Sequence, residues 1–147
     1  RYAALAPLGG HQGYQTRALV GLACEKSGQI YVDRSSPAAI RHTMERAEKL
    51  LRGGMSIVVF PEGARTWTGE MRSFKRGAFA LATEFNLPVV PLTIDGAFSV
   101  MPRIARLPHW GTITLTIHEP ILPPAGGYDL QLLMQQSRDA IASALPH

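Results

Sequence analysis

Along Val58-Val59-Phe60-Pro61-Glu62-Gly63-Ala64-Arg65 an apolar run ends at a turn that carries one carboxylate and one guanidinium. Open α/β sheets place ligands in the crevice beyond the strand ends, where a turn of this kind falls. The donor fork of an arginine matches the oxygens of a carboxylate or a phosphate. Arg72-Ser73-Phe74-Lys75-Arg76-Gly77-Ala78-Phe79 then brings Arg72, Lys75 and Arg76 within about three helical turns of Arg65. These cations interleave with Phe74, Gly77, Ala78 and Phe79, which read as the start of a buried helix. Cations at the mouth of a packed helix, beside a glycine turn, point to an anion pocket. The same residues also suit a surface turn in which Glu62 and Arg65 pair in water, followed by a solvated basic face.

The elements that must position these groups alternate along the chain. Residues 16–26 carry Leu19, Leu22 and Ala23 at helical spacing. Residues 29–32 form a strand that delivers Asp33 and Arg34. Ser36-Pro37 is a helix start, a capping hydroxyl followed by proline at the first helical position. Ile40, Met44, Ala47 and Leu51 then mark one face, and Gly53-Gly54 ends the helix as a left-handed cap. Residues 56–60 read as a strand buried on both faces, as parallel strands tend to be. Residues 75–85 form a second helix that Asn86 stops, and Pro88 opens a strand over 89–94. Residues 111–117 alternate Thr with Ile and Leu, a strand with one buried face. Asp129 caps a last helix carrying Leu130, Leu133, Met134, Ile141 and Leu145. Residues 101–110 mix Pro, Arg, Ile, Leu and Trp without periodicity and suit either a surface loop or a membrane interface. Such alternation predicts an α/β fold with a largely parallel or mixed sheet and helices on its faces. Residues 56–60 and 89–94 are then expected as neighbouring or near-neighbouring parallel strands of one sheet.

Composition agrees with a globular chain. The 147 residues are 46% hydrophobic and 18% charged, enough for one domain with a real core. A net charge of +4 favours anionic partners in general. No Lys/Arg-rich oligomer with interleaved aromatics stands out as a nucleic-acid footprint, and no zinc-finger or RNA-binding signature is present, which argues against nucleic acid. Cys24 stands alone, so neither an intramolecular disulfide nor a cysteine metal quartet is available, and no metal or cofactor is expected. No run approaches the roughly 18 apolar residues of a membrane span.

Phe60-Pro61-Glu62-Gly63-Ala64-Arg65 resembles the Phe-Pro-Glu-Gly-Thr-Arg block of the glycerolipid acyltransferases, the family of 1-acyl-glycerol-3-phosphate acyltransferase. Gly28-Gln29-Ile30-Tyr31-Val32-Asp33-Arg34 is similar to that family's upstream Asp-Arg block, and Leu87-Pro88-Val89-Val90-Pro91-Leu92 to its downstream Val-Pro block. The three stand in family order, and the resemblance runs over residues 28–120. One block departs. The family's catalytic His is followed five positions later by Asp. Here those positions after His11, His42, His109 and His118 hold Thr16, Ala47, Thr114 and Pro123, and His147 is the last residue. Ala64 also replaces the family's usual Thr.

The resemblance implies acyl transfer from acyl-CoA or acyl-carrier protein to a hydroxyl of lysophosphatidate or a related lyso-lipid, in phospholipid biosynthesis. Its His would act as general base and its Asp would orient the His. What carries over to this chain is the acceptor pocket, with Arg34 and Arg65 on the phosphate, Gly63 admitting the backbone and Glu62 positioning a cation or a hydroxyl. Lys75 joins them on charge and position. Arg34 and Arg65 are expected to share one cleft, within roughly 10 Å of each other. On this reading residues 1–147 are a single acyltransferase domain, incomplete at its N-terminus and supplying no catalytic residue. It would work at the cytoplasmic face of a membrane, peripheral or anchored by sequence ahead of Arg1. A non-catalytic phosphate- or lipid-binding module of the same fold is the alternative.

Overall fold

The computed structural model describes residues 2–7, 30–32, 36–105, 107–124 and 129–146. They fall into two compact units, residues 1–64 and 65–147. In the first unit, β1 (Tyr2–Pro7), β2 (Ile30–Val32) and β3 (Ser56–Val59) form a parallel sheet in the order β2-β1-β3. Leu5 pairs with Ile30 on one side of β1, and Tyr2 and Leu5 pair with Ser56 and Val59 on the other. Parallel β3 is as expected, but Ile57, Val58 and Val59 are half-buried and not enclosed on both faces. The expected helix over 16–26 lies outside the described residues.

α1 (Pro37–Arg52) precedes β3 and packs on β2 and β3. Ser36 is extended at φ −153°, and its Oγ accepts from the Ala39 amide at 3.1 Å, with Pro37 filling a position that needs no donor. At the other end Gly54 takes φ +76°, and the amides of Gly54 and Met55 donate to Leu51 O at 2.9 Å and Leu50 O at 3.1 Å. Those are the two bonds of a Schellman cap, and they return the chain directly into β3. The buried stripe is shifted from the expected one. Thr43 and Ala47 are enclosed, whereas Ile40 is exposed. Thr43 tolerates burial because its hydroxyl donates to Ala39 O at 2.9 Å.

The second unit is built around α2 (Gly77–Glu84) and α4 (Leu130–Ser143). α2 ends as its sequence foretells. Asn86 adopts φ +50°, and the Asn86 and Leu87 amides donate to Thr83 O and Ala82 O. Asp129 caps α4 by accepting from the Leu132 amide at 2.8 Å. Phe79, Ala82 and Leu133 form the core between them, joined by Phe74, Val89, Ile121, Leu130 and Met134. The Phe74 and Phe79 rings stack with centroids 6.0 Å apart. Arg138 of α4 lies over Phe74 and donates to Arg72 O at 2.7 Å, which ties the approach to α2 onto α4.

The strand pairing differs from expectation. β4 (Leu92–Asp95) belongs to a two-stranded antiparallel sheet with β5 (Thr114–Ile117), and among the described residues no pairing joins it to β3. Apolar alternation sorts the side chains of a strand onto two faces; it does not report the partner. Pro91 offers no amide, so the expected strand over 89–94 is split. Val89 bridges Ile121, and β4 starts beyond the proline. The expected buried face of β5 is also inverted. Leu92 pairs with Ile117 and Ile94 with Leu115, so all four share one side, and all four are exposed. The opposite side carries Thr93 and meets α4. Thr93 is 1% exposed, and its Oγ1 lies 3.0 Å from Ile141 O and 2.8 Å from His118 Nε2. A hydroxyl has one proton, which goes to the carbonyl, so His118 Nε2 must donate to Thr93. Between β4 and β5 lies α3 (Ala97–Val100), entered through Gly96 at φ +79°. Among the described residues no helix is long and apolar enough to cross a membrane.

Replacing Thr93 with the isosteric Val removes both partners at a buried position. The Thr93→Val chain should lose about 1–3 kcal/mol in urea unfolding, the cost of stranding buried polar groups. An unchanged midpoint would show that the Thr93–His118–Ile141 cluster contributes nothing to the fold.

Candidate functional site

β3 stops because Pro61 cannot continue a ladder and Gly63 can turn the chain. Phe60 to Gly63 closes a four-residue turn through Gly63 N donating to Phe60 O at 3.0 Å. Proline at the second position and glycine at the fourth are the residues that such a turn favours. Gly63 is buried at φ +72°, a conformation that any L side chain would strain. Glu62 sits half-buried at the third position, so the expected pair Glu62 and Gly63 is fixed in one turn at the end of a parallel strand.

Arg65 opens the second unit with its side chain exposed. Its backbone is held by a residue that sequence reasoning did not pick out. Arg103 Nη1 donates to Arg65 O at 2.9 Å while the Arg103 guanidinium lies 4.1 Å from the centroid of the Trp67 ring. Cation–π stacking and a carbonyl acceptor together leave little freedom to either partner. Downstream, Thr66 Oγ1 accepts from the Thr68 amide at 3.2 Å and Thr68 Oγ1 from the Glu70 amide at 3.3 Å. Gly69, at φ +89°, lies against the Phe98 ring, 3.1 Å from where a Cβ would stand. Segment 65–70 is thus a built loop, with Arg65 displayed at its start. The signal for Arg103 was its place in the aperiodic stretch 101–110, which says nothing about its partner.

Lys75 is exposed on the approach to α2, just ahead of Arg76 at the helix start. Arg34 lies outside the described residues, so the expected Arg34–Arg65 cleft does too. A separate groove of about 240 Å³ is lined by Ser73, Phe74, Gln131, Met134, Gln135 and Arg138. Arg138 is spent there on the Arg72 and Met71 carbonyls and on Phe74.

A turn with a left-handed glycine closes β3, and Arg65 stands exposed at the start of the segment that follows. A family model described as Acyltransferase matches residues 4–95, which include most of β1 and all of β3, the turn and β4, and the chain belongs to that family. Curated relatives that it matches include 1-acyl-sn-glycerol-3-phosphate acyltransferases. The chloroplastic BAT2 of Brassica napus is 31% identical over 128 residues, 86% of this chain and 36% of that protein. The alpha enzyme of Homo sapiens is 44% identical over 76 residues, 51% of this chain and 27% of that one. The chain thus spans about a third of the length of the curated relatives it matches. The fold is that of the crystal structure of the 1-acyl-sn-glycerophosphate acyltransferase PlsC from Thermotoga maritima. The TM-score is 0.75 at 23% identity, over 96% of this chain and 54% of that one.

The turn makes a separable stability prediction. Gly63→Ala should cost about 1–2 kcal/mol, the penalty of a left-handed L residue. Arg65→Ala, at an exposed position, should stay within about 0.5 kcal/mol of the parent. Denaturant midpoints for the two variants check both, and a neutral Gly63→Ala would mean that the turn tolerates another backbone conformation.

Proposed function

We propose that this chain supplies the acceptor-phosphate pocket of an enzyme that moves an acyl group from acyl-CoA or acyl-carrier protein to the free hydroxyl of a lysophosphatidate-type acceptor. The observation that carries this reading is the Phe60–Gly63 turn at the end of β3, with buried Gly63 at φ +72° and Arg65 displayed two residues later. Family membership supports the same assignment. Arg65 and Arg34 hold the acceptor phosphate through charge-assisted hydrogen bonds, as a guanidinium fork does for tetrahedral oxyanions. Gly63 lets the backbone approach the ligand. Glu62 positions a cation or the acceptor hydroxyl, and Lys75 adds positive charge. The residues form part of one acyltransferase domain working at the cytoplasmic face of a membrane, where its lipid acceptor resides.

The step that needs a base lies outside this pocket. Attack of the hydroxyl on the thioester carbonyl requires removal of the hydroxyl proton, and the family assigns that to the His of a His-x4-Asp block. None of the five histidines here is followed by Asp at that spacing. The same observation favours the second reading, a phosphate- or lipid-binding module that performs no transfer.

An assay with acyl-CoA and lysophosphatidate separates the possibilities. The 147-residue chain is expected to show no turnover but weak, salt-sensitive affinity for glycerol phosphate, because a positioned base contributes about a hundred- to ten-thousand-fold in rate while binding needs none. A chain extended at its amino end to include a His-x4-Asp block should turn over, and Arg65→Ala in that background should impair acceptor use. Robust turnover by the 147-residue chain would place the base inside it and contradict the proposal. Absence of turnover from the extended chain would favour the binding module.

A further inference from the structure

The connection from α3 to β5 is pinned at its base and carries exposed apolar side chains. His109 N donates to Val100 O at 2.6 Å, and Gly111 approaches Val100 so closely that a Cβ would stand 2.8 Å from its Cγ2. Ala105 N donates to Pro102 O at 3.0 Å, which tightens the turn between. Arg103 roots the loop on segment 65–67 through the Arg65 carbonyl and the Trp67 ring. On this pinned frame Ile104 is 80% exposed, Leu107 75% and Trp110 fully exposed. Scattered exposed apolar residues are ordinary on a protein surface. Three bulky ones on a single braced loop are not, and they mark a contact surface.

Charge selects the partner. From Gly96 to His118 the sequence holds no Asp or Glu, while Arg103, Arg106 and His109 alternate with the apolar side chains. Apolar residues that dip below a headgroup layer, arginines that meet anionic headgroups and a tryptophan that prefers the boundary are the composition of an interfacial anchor. We propose that residues 101–110 are a membrane-docking loop. Ile104, Leu107 and Trp110 enter the outer part of an anionic bilayer, and the positive charge of the segment favours anionic headgroups. The assignment deepens the reading of a lipid acceptor and rests on it for the choice of a bilayer as partner. Because Arg103 also holds the Arg65 backbone, the loop would bring the phosphate-facing segment to the lipid surface.

Cosedimentation of the chain with phosphatidylcholine vesicles, with and without phosphatidylglycerol and free of any lysophosphatidate, tests the loop apart from the pocket. The chain should partition onto the phosphatidylglycerol vesicles and be released by salt. The combined Ile104→Ser, Leu107→Ser and Trp110→Ser variant should bind about tenfold more weakly or worse, with an unchanged thermal transition. A second readout needs no disruptive variant. Acyl-chain-brominated lipid should quench tryptophan fluorescence in the parent chain and not in Trp110→Phe, where Trp67 remains. Equal binding by parent and triple variant, no vesicle binding by the parent, or binding indifferent to phosphatidylglycerol would each overturn the proposal. So would self-association of the parent in vesicle-free solution that the triple variant abolishes, which would make the loop an interface between copies of the chain. Soluble glycerol phosphate, titrated separately against Arg65→Ala, reads the pocket alone, so failure of either assignment is visible without the other.

Discussion

The backbone at Gly63 is the constraint on which the site depends. A parallel strand must leave its sheet at its carboxyl end, and β3 does so through a turn in which Gly63 is both buried and left-handed. A side chain there would meet a steric penalty from its own backbone. Proline ahead of it removes the amide that would prolong the strand. The turn thereby fixes Glu62 and sets the point from which Arg65 departs. The chemistry proposed for this chain follows from that departure.

Downstream, two arginines serve as structural clamps and leave a third exposed. Arg103 uses the Trp67 ring and the Arg65 carbonyl, and Arg138 uses the Phe74 ring and the Arg72 and Met71 carbonyls. Each combines a flat stacking surface with a backbone acceptor, a pairing that lysine reproduces poorly. A basic sequence is therefore not a uniform basic surface. Its positive charge divides between side chains that hold loops in place and side chains, such as Arg65 and Lys75, that face solvent.

What could be read in advance was mostly local chemistry. Ser36-Pro37, Gly53-Gly54, Asn86 and Asp129 mark helix ends because capping is decided by residues within a turn of each other, and all four act as caps or cap partners in the structure. The Pro61–Gly63 turn was legible for the same reason. Pairing was not. β1, the middle strand of its sheet, is Tyr-Ala-Ala-Leu-Ala-Pro, which lacks the β-branched signature of a strand and has an alanine content that favours helix. β4 shows the expected apolar character, yet its partner is the antiparallel β5, a relation that alternation does not encode. Arg103 went unseen because its role depends on contacts with Arg65 and Trp67, more than thirty residues away in sequence.

The central claim is that the chain meets an acceptor phosphate at the turn after β3. Amide chemical shifts of the isotopically labelled chain, followed during titration with sn-glycerol 3-phosphate, address it residue by residue. The account predicts that the largest saturating shifts fall on Glu62, Gly63, Ala64 and Arg65, with the Arg65 side-chain NεH among them. Shifts confined to the groove between Ser73 and Arg138, with the turn unmoved, would contradict it.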